Sequence, residues 1–279
     1  GLGDVYKRQI LHWSAFSGRN YEYYSEDPLI SGKMAANVIA GAGSKGTYCA
    51  FKHFAMVDQE EQRWWIPSVW ATEQTIREIY LKPFEIGVKE AMKTIKYISD
   101  DNGTVSTKTM RAADCMMTSG WAGIGGLYSG YSYNLLTSVL RDEWGFQGFV
   151  ITDYDQGNGA NDDIAVNRMV RAGVDQHMID KTLSPGNYTS TDTATGKMAL
   201  RRAVKNTLYT MANSAQTNNL VPGAKMYYRM SPWRIGVVAV DVVIALGVAL
   251  GVIAMVKRTK NEKEHPEHYL SLIHISEPT

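Results

Sequence analysis

Residues 148–154 read GFVITDY, a short apolar run that ends in a carboxylate. Three consecutive large apolar side chains are typical of a strand that is buried on both faces of a parallel sheet. The preceding residues 132–144 carry apolar side chains at helical spacing, and Gly145 follows as a helix stop. A helix, a glycine turn and a buried strand form one αβ unit. This unit puts Asp153 at the carboxyl end of a strand, where (β/α)8 barrels carry their functional groups.

The rest of the chain predicts strands that alternate with helices, which indicates a parallel sheet with right-handed crossovers. We expect helices at 28–42, from 72 onward with a kink or break at Pro83, at 162–172 and at 196–215, and strands at 47–52, 113–118 and 174–178. Residues 97–111 are polar and contain the sequence Asp-Asp-Asn-Gly, so we expect a surface loop there.

Both ends of the chain look foreign to the protein. Residues 4–9 read DVYKRQ and residues 270–275 read LSLIHI. The DNA string GATGTGTATAAGAGACAG encodes the first segment, and its reverse complement encodes the second. This is the relation expected when one sequencing adaptor, present in opposite orientations at the two ends of a DNA fragment, is translated with it. We therefore exclude residues 1–9 and 270–279 from the fold prediction and expect a natural protein that was cut on both sides.

The composition is that of a globular protein, with 279 residues, a net charge of +1 and 44% hydrophobic residues. The chain has no basic stripe, which argues against a nucleic-acid partner. Cys49 and Cys115 lie in short apolar stretches, so we expect buried structural thiols and no metal site.

Residues 235–256 form an apolar stretch that is long enough to span a bilayer core. The flanking residues are Trp233 and Arg234 before it, and Lys257, Arg258 and Lys260 after it. We predict a single transmembrane helix at residues 233–256 in contact with membrane lipid, with the C-terminus in the cytoplasm and the main domain outside the cell membrane. The alternative is a buried core helix. Gly247 and Gly251 form a small-xxx-small pair that favours helix pairing, so a homodimer is a candidate assembly.

Four clusters of polar and aromatic residues lie at or just after the ends of predicted strands. They are residues 18–27, residues 52–63, residues 118–121 and residues 152–155. Arginine, lysine, histidine and aspartate with interleaved aromatic residues suit a sugar ligand. Charged groups hydrogen-bond the hydroxyls, and aromatic faces pack on the apolar faces of the ring.

Five segments together resemble the barrel domain of glycoside hydrolase family 3. They are SGRNYEYYSEDP (17–28), KHFAMVDQEEQR (52–63), REIYLKPFE (77–85), LLTSVLRDEWGFQGFVITDY (135–154) and ALRRAVKNTLYTMANS (199–214). The resemblance covers about residues 11–218. It implies an α/β fold in which residues 10–218 are a partial (β/α)8 barrel lacking its early strands. A linker at 219–232 and a cytoplasmic tail at 257–269 then flank the transmembrane helix.

The resemblance also implies a role for each residue that matches a family motif. Asp153 matches the nucleophile, and Tyr154 matches the adjacent aromatic residue of the sugar subsite. The residues that match positions contacting the sugar or organising the nucleophile are Lys52, His53, Arg19 and Arg63. The implied chemistry is retaining hydrolysis, in which one carboxylate forms a glycosyl-enzyme intermediate and a second carboxyl serves as acid and base, without a cofactor. The nearby cations are expected to lower the pKa of Asp153 and keep it ionised.

The chain departs from the family pattern in two respects. Ser119-Gly120-Trp121 stands where members carry Ser-Tyr-Asn or Ser-Phe-Asn, so Trp121 is the candidate replacement for the aromatic residue near the nucleophile. The second domain, which supplies the acid/base glutamate in many members, does not follow the barrel. We expect a transposed order, with that domain before the barrel, and little or no hydrolase activity from this polypeptide alone.

The leading prediction is a membrane-anchored exo-β-glycosidase of the β-glucosidase or β-xylosidase type that acts on an oligosaccharide or glycoside. A β-N-acetylhexosaminidase is an alternative within the family, although residues 52–56 differ from the KHFPG-type sequence of such enzymes. The alternative from another class is a membrane-tethered sugar-binding protein that has lost its chemistry.

Overall fold

The computed structural model describes residues 9–11, 15–57, 68–119, 123–154, 163–178, 187–215 and 230–264. Packing divides the chain into two units, residues 1–224 and 225–279. The strands are β1 (Gln9–Leu11), β2 (Tyr23–Ser25), β3 (Ala50–Phe54), β4 (Ser68–Val69), β5 (Met92–Ile98), β6 (Val105–Arg111), β7 (Cys115–Thr118), β8 (Gly123–Ile124), β9 (Leu127–Tyr128), β10 (Phe149–Tyr154) and β11 (Gln176–Met178). The α-helices are α1 (Pro28–Gly43), α2 (Glu73–Thr75), α3 (Lys82–Glu90), α4 (Asp163–Ala172), α5 (Ala194–Ala212) and α6 (Pro232–Glu264). Two π-helical segments span Ile76–Tyr80 and Asn134–Glu143, and two 3-10 turns span Asn20–Glu22 and Ser129–Tyr131.

Six strands form one sheet in the order β11-β10-β7-β3-β1-β2, and every pairing within it is parallel. The registers pair Ala50 with Cys115 and Cys115 with Phe149, so the carboxyl ends of β3, β7 and β10 meet at one edge of the sheet. The predicted α/β fold is confirmed, while closure of the sheet into a barrel stays a prediction. Gln9, which the sequence analysis excluded with the foreign end, is the first residue of β1.

Side chains alternate between the two faces of the sheet along each strand. Both faces carry buried side chains. The side chains that pack with the helices are Phe51, Met116 and Val150, and those that cluster on the other face are Ala50, Cys115 and Phe149. This two-sided burial is what the apolar run before Asp153 predicts. Cys49 and Cys115 are both buried thiols, as expected.

The helix boundaries follow local signals. The side chain of Asp27 accepts a hydrogen bond from the backbone N–H of Ile30 (2.7 Å), and Pro28 occupies the first turn of α1. The helical run before Leu81 ends there, and Pro83 lies in the first turn of α3. The predicted break is confirmed, because proline has no N–H for a helix interior but fits a first turn.

The surface loop predicted at residues 97–111 is wrong, because β5 and β6 form an antiparallel hairpin. Its strands mix threonine, serine, lysine and apolar residues, so the sequence shows no strict alternation that would identify a strand. The sequence identified only the turn between the two strands, through its Asp-Asp-Asn-Gly sequence. The Asp100 carboxylate accepts hydrogen bonds from the backbone N–H groups of Asn102 and Thr104, each at 3.0 Å.

A buried ion pair fastens this hairpin to the sheet. The ammonium of Lys93 on β5 hydrogen-bonds the carboxylate of Asp114, which precedes β7, and both side chains are 2% exposed. The same ammonium donates to the carbonyl oxygen of Asn213, beyond the end of α5 (3.1 Å). Burial raises the pKa of Asp114, although Lys93 acts in the opposite direction. One side chain therefore joins the hairpin, the start of β7 and the end of α5.

The chain before β10 passes very close to the chain before β7. A Cβ atom on Gly148 would lie 2.1 Å from the carbonyl oxygen of Asp114. That oxygen also accepts a hydrogen bond from the backbone N–H of Phe149 (3.2 Å). Glycine is therefore required at position 148 by close backbone approach.

The second unit contains α6, a helix of 33 residues that is long and apolar enough to cross a membrane. At 1.5 Å per residue it is about 50 Å long, and a bilayer core is about 30 Å thick. No residue of α6 is buried within the described part of the chain. The predicted span at 233–256 lies within this helix.

Candidate active site

Asp153, at the carboxyl end of β10, faces His53 on β3. Oδ2 of Asp153 lies 3.1 Å from Nε2 of His53, and the two side chains are 11% and 1% exposed. The two atoms lie within hydrogen-bonding distance, but neither ring nitrogen is well aligned for a hydrogen bond within the described residues. Two peptide bonds in this segment, Lys52–His53 and Phe54–Ala55, are cis.

Three further charged side chains complete the cluster. Nε and Nη2 of Arg19 donate to the two carboxylate oxygens of Glu22, each at 2.7 Å. Nζ of Lys52 lies 3.2 Å from Oε2 of the same carboxylate. Arg19 and Glu22 are three residues apart around a 3-10 turn, in which such positions share one side. Gly18, at φ +87°, lets the chain enter this turn in a left-handed conformation.

Burial and charge set the protonation states of the cluster. Burial lowers the pKa of His53 despite the opposing effect of Asp153, so the imidazole is neutral at neutral pH. Burial and the charge of Arg19 also lower the pKa of Lys52. Glu22 and Asp153 act on Lys52 in the opposite direction. Burial alone would raise the pKa of Glu22, but hydrogen bonds and charge from Arg19 and Lys52 lower it to about 2.

A hydrogen-bonded group closes the carboxyl end of β7. The backbone N–H of Ser119 donates to the carbonyl oxygen of Phe54 (3.1 Å), and its hydroxyl lies 2.6 Å from that of Ser129. The hydroxyls of Thr118 and Tyr128 are 3.2 Å apart. These bonds hold the segment after β7 against the end of β3.

The structure brings together four of the residues that the sequence analysis assigned to the site, and their roles in sugar chemistry stay predictions. These four are Arg19, Lys52, His53 and Asp153. Arg63, Trp121 and the side chain of Tyr154 lie outside the described residues.

Glu22 is a candidate functional residue to which the sequence analysis gave no role. An arginine and a glutamate three residues apart can pair where the chain turns, and this spacing was the usable signal. The sequence could not show that Lys52, on a different element, contacts the same carboxylate.

The charges of the cluster suit a polar organic ligand better than a metal ion, because two of its four charged groups are cations. Within the described ranges, no group of three or more His, Cys, Asp or Glu side chains is arranged to hold a metal.

Residues 11–217 match the family described as "Glycosyl hydrolase family 3 N terminal domain". The chain belongs to glycosyl hydrolase family 3. The resemblance drawn from the five motifs is thereby confirmed.

Known relatives of this family 3 chain include beta-glucosidases. A beta-glucosidase from Ruminococcus albus is 38% identical over 174 residues, which are 61% of this chain and 16% of that protein. Beta-glucosidase A from Butyrivibrio fibrisolvens is 40% identical over 144 residues, which are 52% of this chain and 15% of that protein. The chain therefore spans about one sixth of the length of these relatives.

Solved structures of the family share its α/β fold. Beta-glucosidase 3B from Thermotoga neapolitana in complex with glucose aligns with a TM-score of 0.59 and 28% identity, over 78% of this chain and 28% of that one. A beta-glucosidase from Paenibacillus barengoltzii aligns with a TM-score of 0.62 and 29% identity, over 82% of this chain and 23% of that one.

Proposed function

We propose that this chain is part of a membrane-anchored, retaining exo-β-glycosidase of the β-glucosidase or β-xylosidase type. The observation that carries the proposal is the buried carboxylate of Asp153 beside His53, in one charged cluster with Lys52 and Arg19. The similarity of the chain to beta-glucosidases supports the substrate class. We infer that the parallel sheet is part of a (β/α)8 barrel, in which the carboxyl ends of strands carry the active site.

In the proposed reaction Asp153 is the nucleophile. Its carboxylate attacks the anomeric carbon as the glycosidic bond breaks, and water later cleaves the resulting ester with the original configuration retained. The neutral imidazole of His53 and the ammonium of Lys52 are the proposed hydrogen-bonding partners of sugar hydroxyls. Because the charges of Lys52 and Asp153 attract each other, the cation favours the ionised carboxylate that the attack requires.

The acid/base carboxyl is proposed to come from outside this cluster. A general acid needs a pKa near the working pH, whereas the pKa of Glu22 is about 2. Glu22 is therefore ionised and unsuited to protonate a leaving oxygen. We expect this polypeptide alone to show little or no hydrolase activity, and robust turnover of an aryl β-glucoside by it would contradict this part of the proposal.

The nucleophile is tested with Asp153→Asn in the full-length gene product, with Asp142→Asn as a matched control because Asp142 is exposed. The wild type and the control should release the aryl group of an activated β-glucoside in a burst, and proton NMR should detect the β-anomer as the first sugar product. Asp153→Asn should give no burst and at least about 10⁴-fold lower kcat, because an amide cannot form the ester. Normal burst kinetics from Asp153→Asn would refute the assignment.

Two further measurements on the full-length gene product would favour the alternative functions. Preference for an aryl N-acetyl-β-glucosaminide over the glucoside would identify a β-N-acetylhexosaminidase. Glucose binding without turnover of either glycoside by the full-length product would identify a sugar-binding protein.

We also propose that α6 anchors the protein in the cell membrane, with the sugar site outside and residues 257–269 in the cytoplasm. The length of α6 and its exposed apolar side chains support an anchor, and the basic residues after position 256 support the orientation. The protein should stay in the membrane pellet after an alkaline wash, and protease added to intact cells should digest residues 10–218. Release by the wash would exclude the anchor, and full protection from protease would reverse the orientation.

A further inference from the structure

The carboxylate of Glu22 belongs to the charged cluster but has no role in the proposed reaction. It accepts hydrogen bonds from Nε and Nη2 of Arg19, both at 2.7 Å. It also lies 3.2 Å from Nζ of Lys52. The carboxylate therefore joins two cations from different parts of the chain, Arg19 at the N-cap of the 3-10 turn Asn20–Glu22 and Lys52 on strand β3.

We propose that Glu22 is a positioning residue of the sugar site, which fixes the guanidinium of Arg19 and the ammonium of Lys52 in the orientations that meet the sugar. This inference rests on the proposed function. It adds one requirement to that function: Arg19 and Lys52 each need the Glu22 carboxylate in order to bind the sugar productively.

The geometry of the arginine contact supports this role. A bidentate pair between a guanidinium and a carboxylate fixes the plane of the guanidinium as well as its distance. The Arg19 side chain is 21% exposed, so part of it stays accessible to a ligand while its Nε and Nη2 groups are held.

The lysine contact supports the same role. A lysine ammonium on a flexible four-carbon stem has no preferred direction of its own, and the Lys52 side chain is 5% exposed. Arg19 disfavours the charged form of Lys52, whereas Glu22 and Asp153 favour it. Without Glu22, Asp153 still attracts Lys52 from within the described part of the chain. The Lys52 ammonium would then turn towards the Asp153 carboxylate. It would compete with the anomeric carbon of the sugar for contact with that carboxylate.

The test compares Glu22→Gln and Glu22→Asp in the full-length gene product. Glu90→Gln is the matched control, because Glu90 is an exposed glutamate that pairs with a lysine, Lys33, outside the cluster. Steady-state hydrolysis of an aryl β-glucoside should show kcat/KM about 10²-fold lower in Glu22→Gln, because misplaced binding groups cost about this much. Glu22→Asp keeps the charge but cannot reach both cations, so it should lose about tenfold. The control should be unchanged.

A second measurement does not depend on turnover. An NMR titration of the lysine side chains in the same proteins should show that the pKa of Lys52 falls in Glu22→Gln, because a group that raises it is lost. The same pKa should stay near the wild-type value in Glu22→Asp and in the control. An unchanged titration would show that the Glu22 carboxylate does not interact with the Lys52 ammonium.

Wild-type kinetics in Glu22→Gln, or an unchanged Lys52 titration, would overturn the proposal. If the wild type hydrolyses no glycoside, the proposed function fails, and the titration alone decides whether Glu22 holds Lys52. If circular dichroism shows that Glu22→Gln does not fold, Glu22→Asp decides, and wild-type kinetics in that folded variant would overturn the positioning role.

Discussion

Replacing Lys93 by methionine removes the cation from the buried ion pair that fastens the β5–β6 hairpin to the sheet. Both side chains of the pair are 2% exposed, so the substitution leaves the Asp114 carboxylate uncompensated in the interior. Breaking a buried pair from one side costs about 3–5 kcal/mol of the free energy of unfolding. Methionine retains the apolar stem, so this cost reports the lost charge rather than lost packing.

The double variant Lys93→Met/Asp114→Asn supplies the matched comparison. Neutralising both partners of a buried pair is often close to neutral. The bond from Lys93 to the carbonyl oxygen of Asn213 is lost in either case, at about 1 kcal/mol. The double variant should therefore cost about 1–2 kcal/mol, which is less than Lys93→Met alone.

Urea unfolding at pH 7, followed by tryptophan fluorescence, measures these differences. Lys96→Met is the control, because Lys96 lies on the same strand with an exposed side chain and should change stability by less than about 0.5 kcal/mol. A cost below about 1 kcal/mol for Lys93→Met, or a double variant equal to the sum of the two single variants, would refute the reasoning.

The pH dependence provides an independent check of the same pair. Burial already raises the pKa of Asp114, and Lys93 opposes that rise, so the pKa rises further in Lys93→Met. A carboxyl with a raised folded-state pKa stabilises the fold fully below its unfolded pKa. This contribution is lost as the pH rises through the folded value. The free energy of unfolding that Lys93→Met loses relative to the wild type should therefore be largest at neutral pH and smaller towards pH 5.

Three further predictions concern other buried features. Asp175→Asn breaks a buried ion pair of 2.6 Å with Arg141 on the π-helical segment and should lower the free energy of unfolding in urea by about 3–5 kcal/mol. The exposed control Asp192→Asn should leave it unchanged. An unchanged free energy of unfolding in Asp175→Asn would contradict this expectation. Gly148→Ala should cost about 3 kcal/mol or more in thermal unfolding, because its Cβ would lie 2.1 Å from a backbone oxygen. Gly41→Ala, with no atom within 4 Å, should gain about 1 kcal/mol, and equal effects at the two glycines would be incompatible with the packing. Burial lowers the pKa of His53 from 6.5, so below that pH the unfolded state takes up a proton that the folded state does not. Wild-type stability should therefore fall as the pH drops below 6.5, by at most about 1.4 kcal/mol per pH unit relative to His53→Gln. Parallel pH profiles would show that this histidine is not buried in its neutral form.

Much of the fold was readable from local patterns. The apolar run before Asp153 predicted a strand buried on both faces, and Val150 within it is fully buried. The helix predicted from residue 28 corresponds to α1, whose start is set locally by Asp27 and Pro28, and Pro83 marked the break before α3. These signals depend on residues that are neighbours in the chain, so they act before any tertiary contact forms.

The β5–β6 hairpin shows where local reasoning failed. Its strands carry no regular alternation of apolar and polar residues, because most of their side chains face solvent. The hairpin is held by the burial of Lys93 against Asp114, a contact between residues separated by the whole of β6. A charged residue in a polar stretch gives no sign that it will be buried, since only the folded chain supplies its partner.

By itself the sequence determined the family and the α/β class, and it predicted that Arg19, Lys52, His53 and Asp153 lie at or just after strand ends. Only the tertiary structure decided that Glu22 lies between two of these cations and that the imidazole lies against the carboxylate. The physical reason is that these contacts depend on the register of parallel strands and on exclusion of water. Both are properties of segments far apart in the chain.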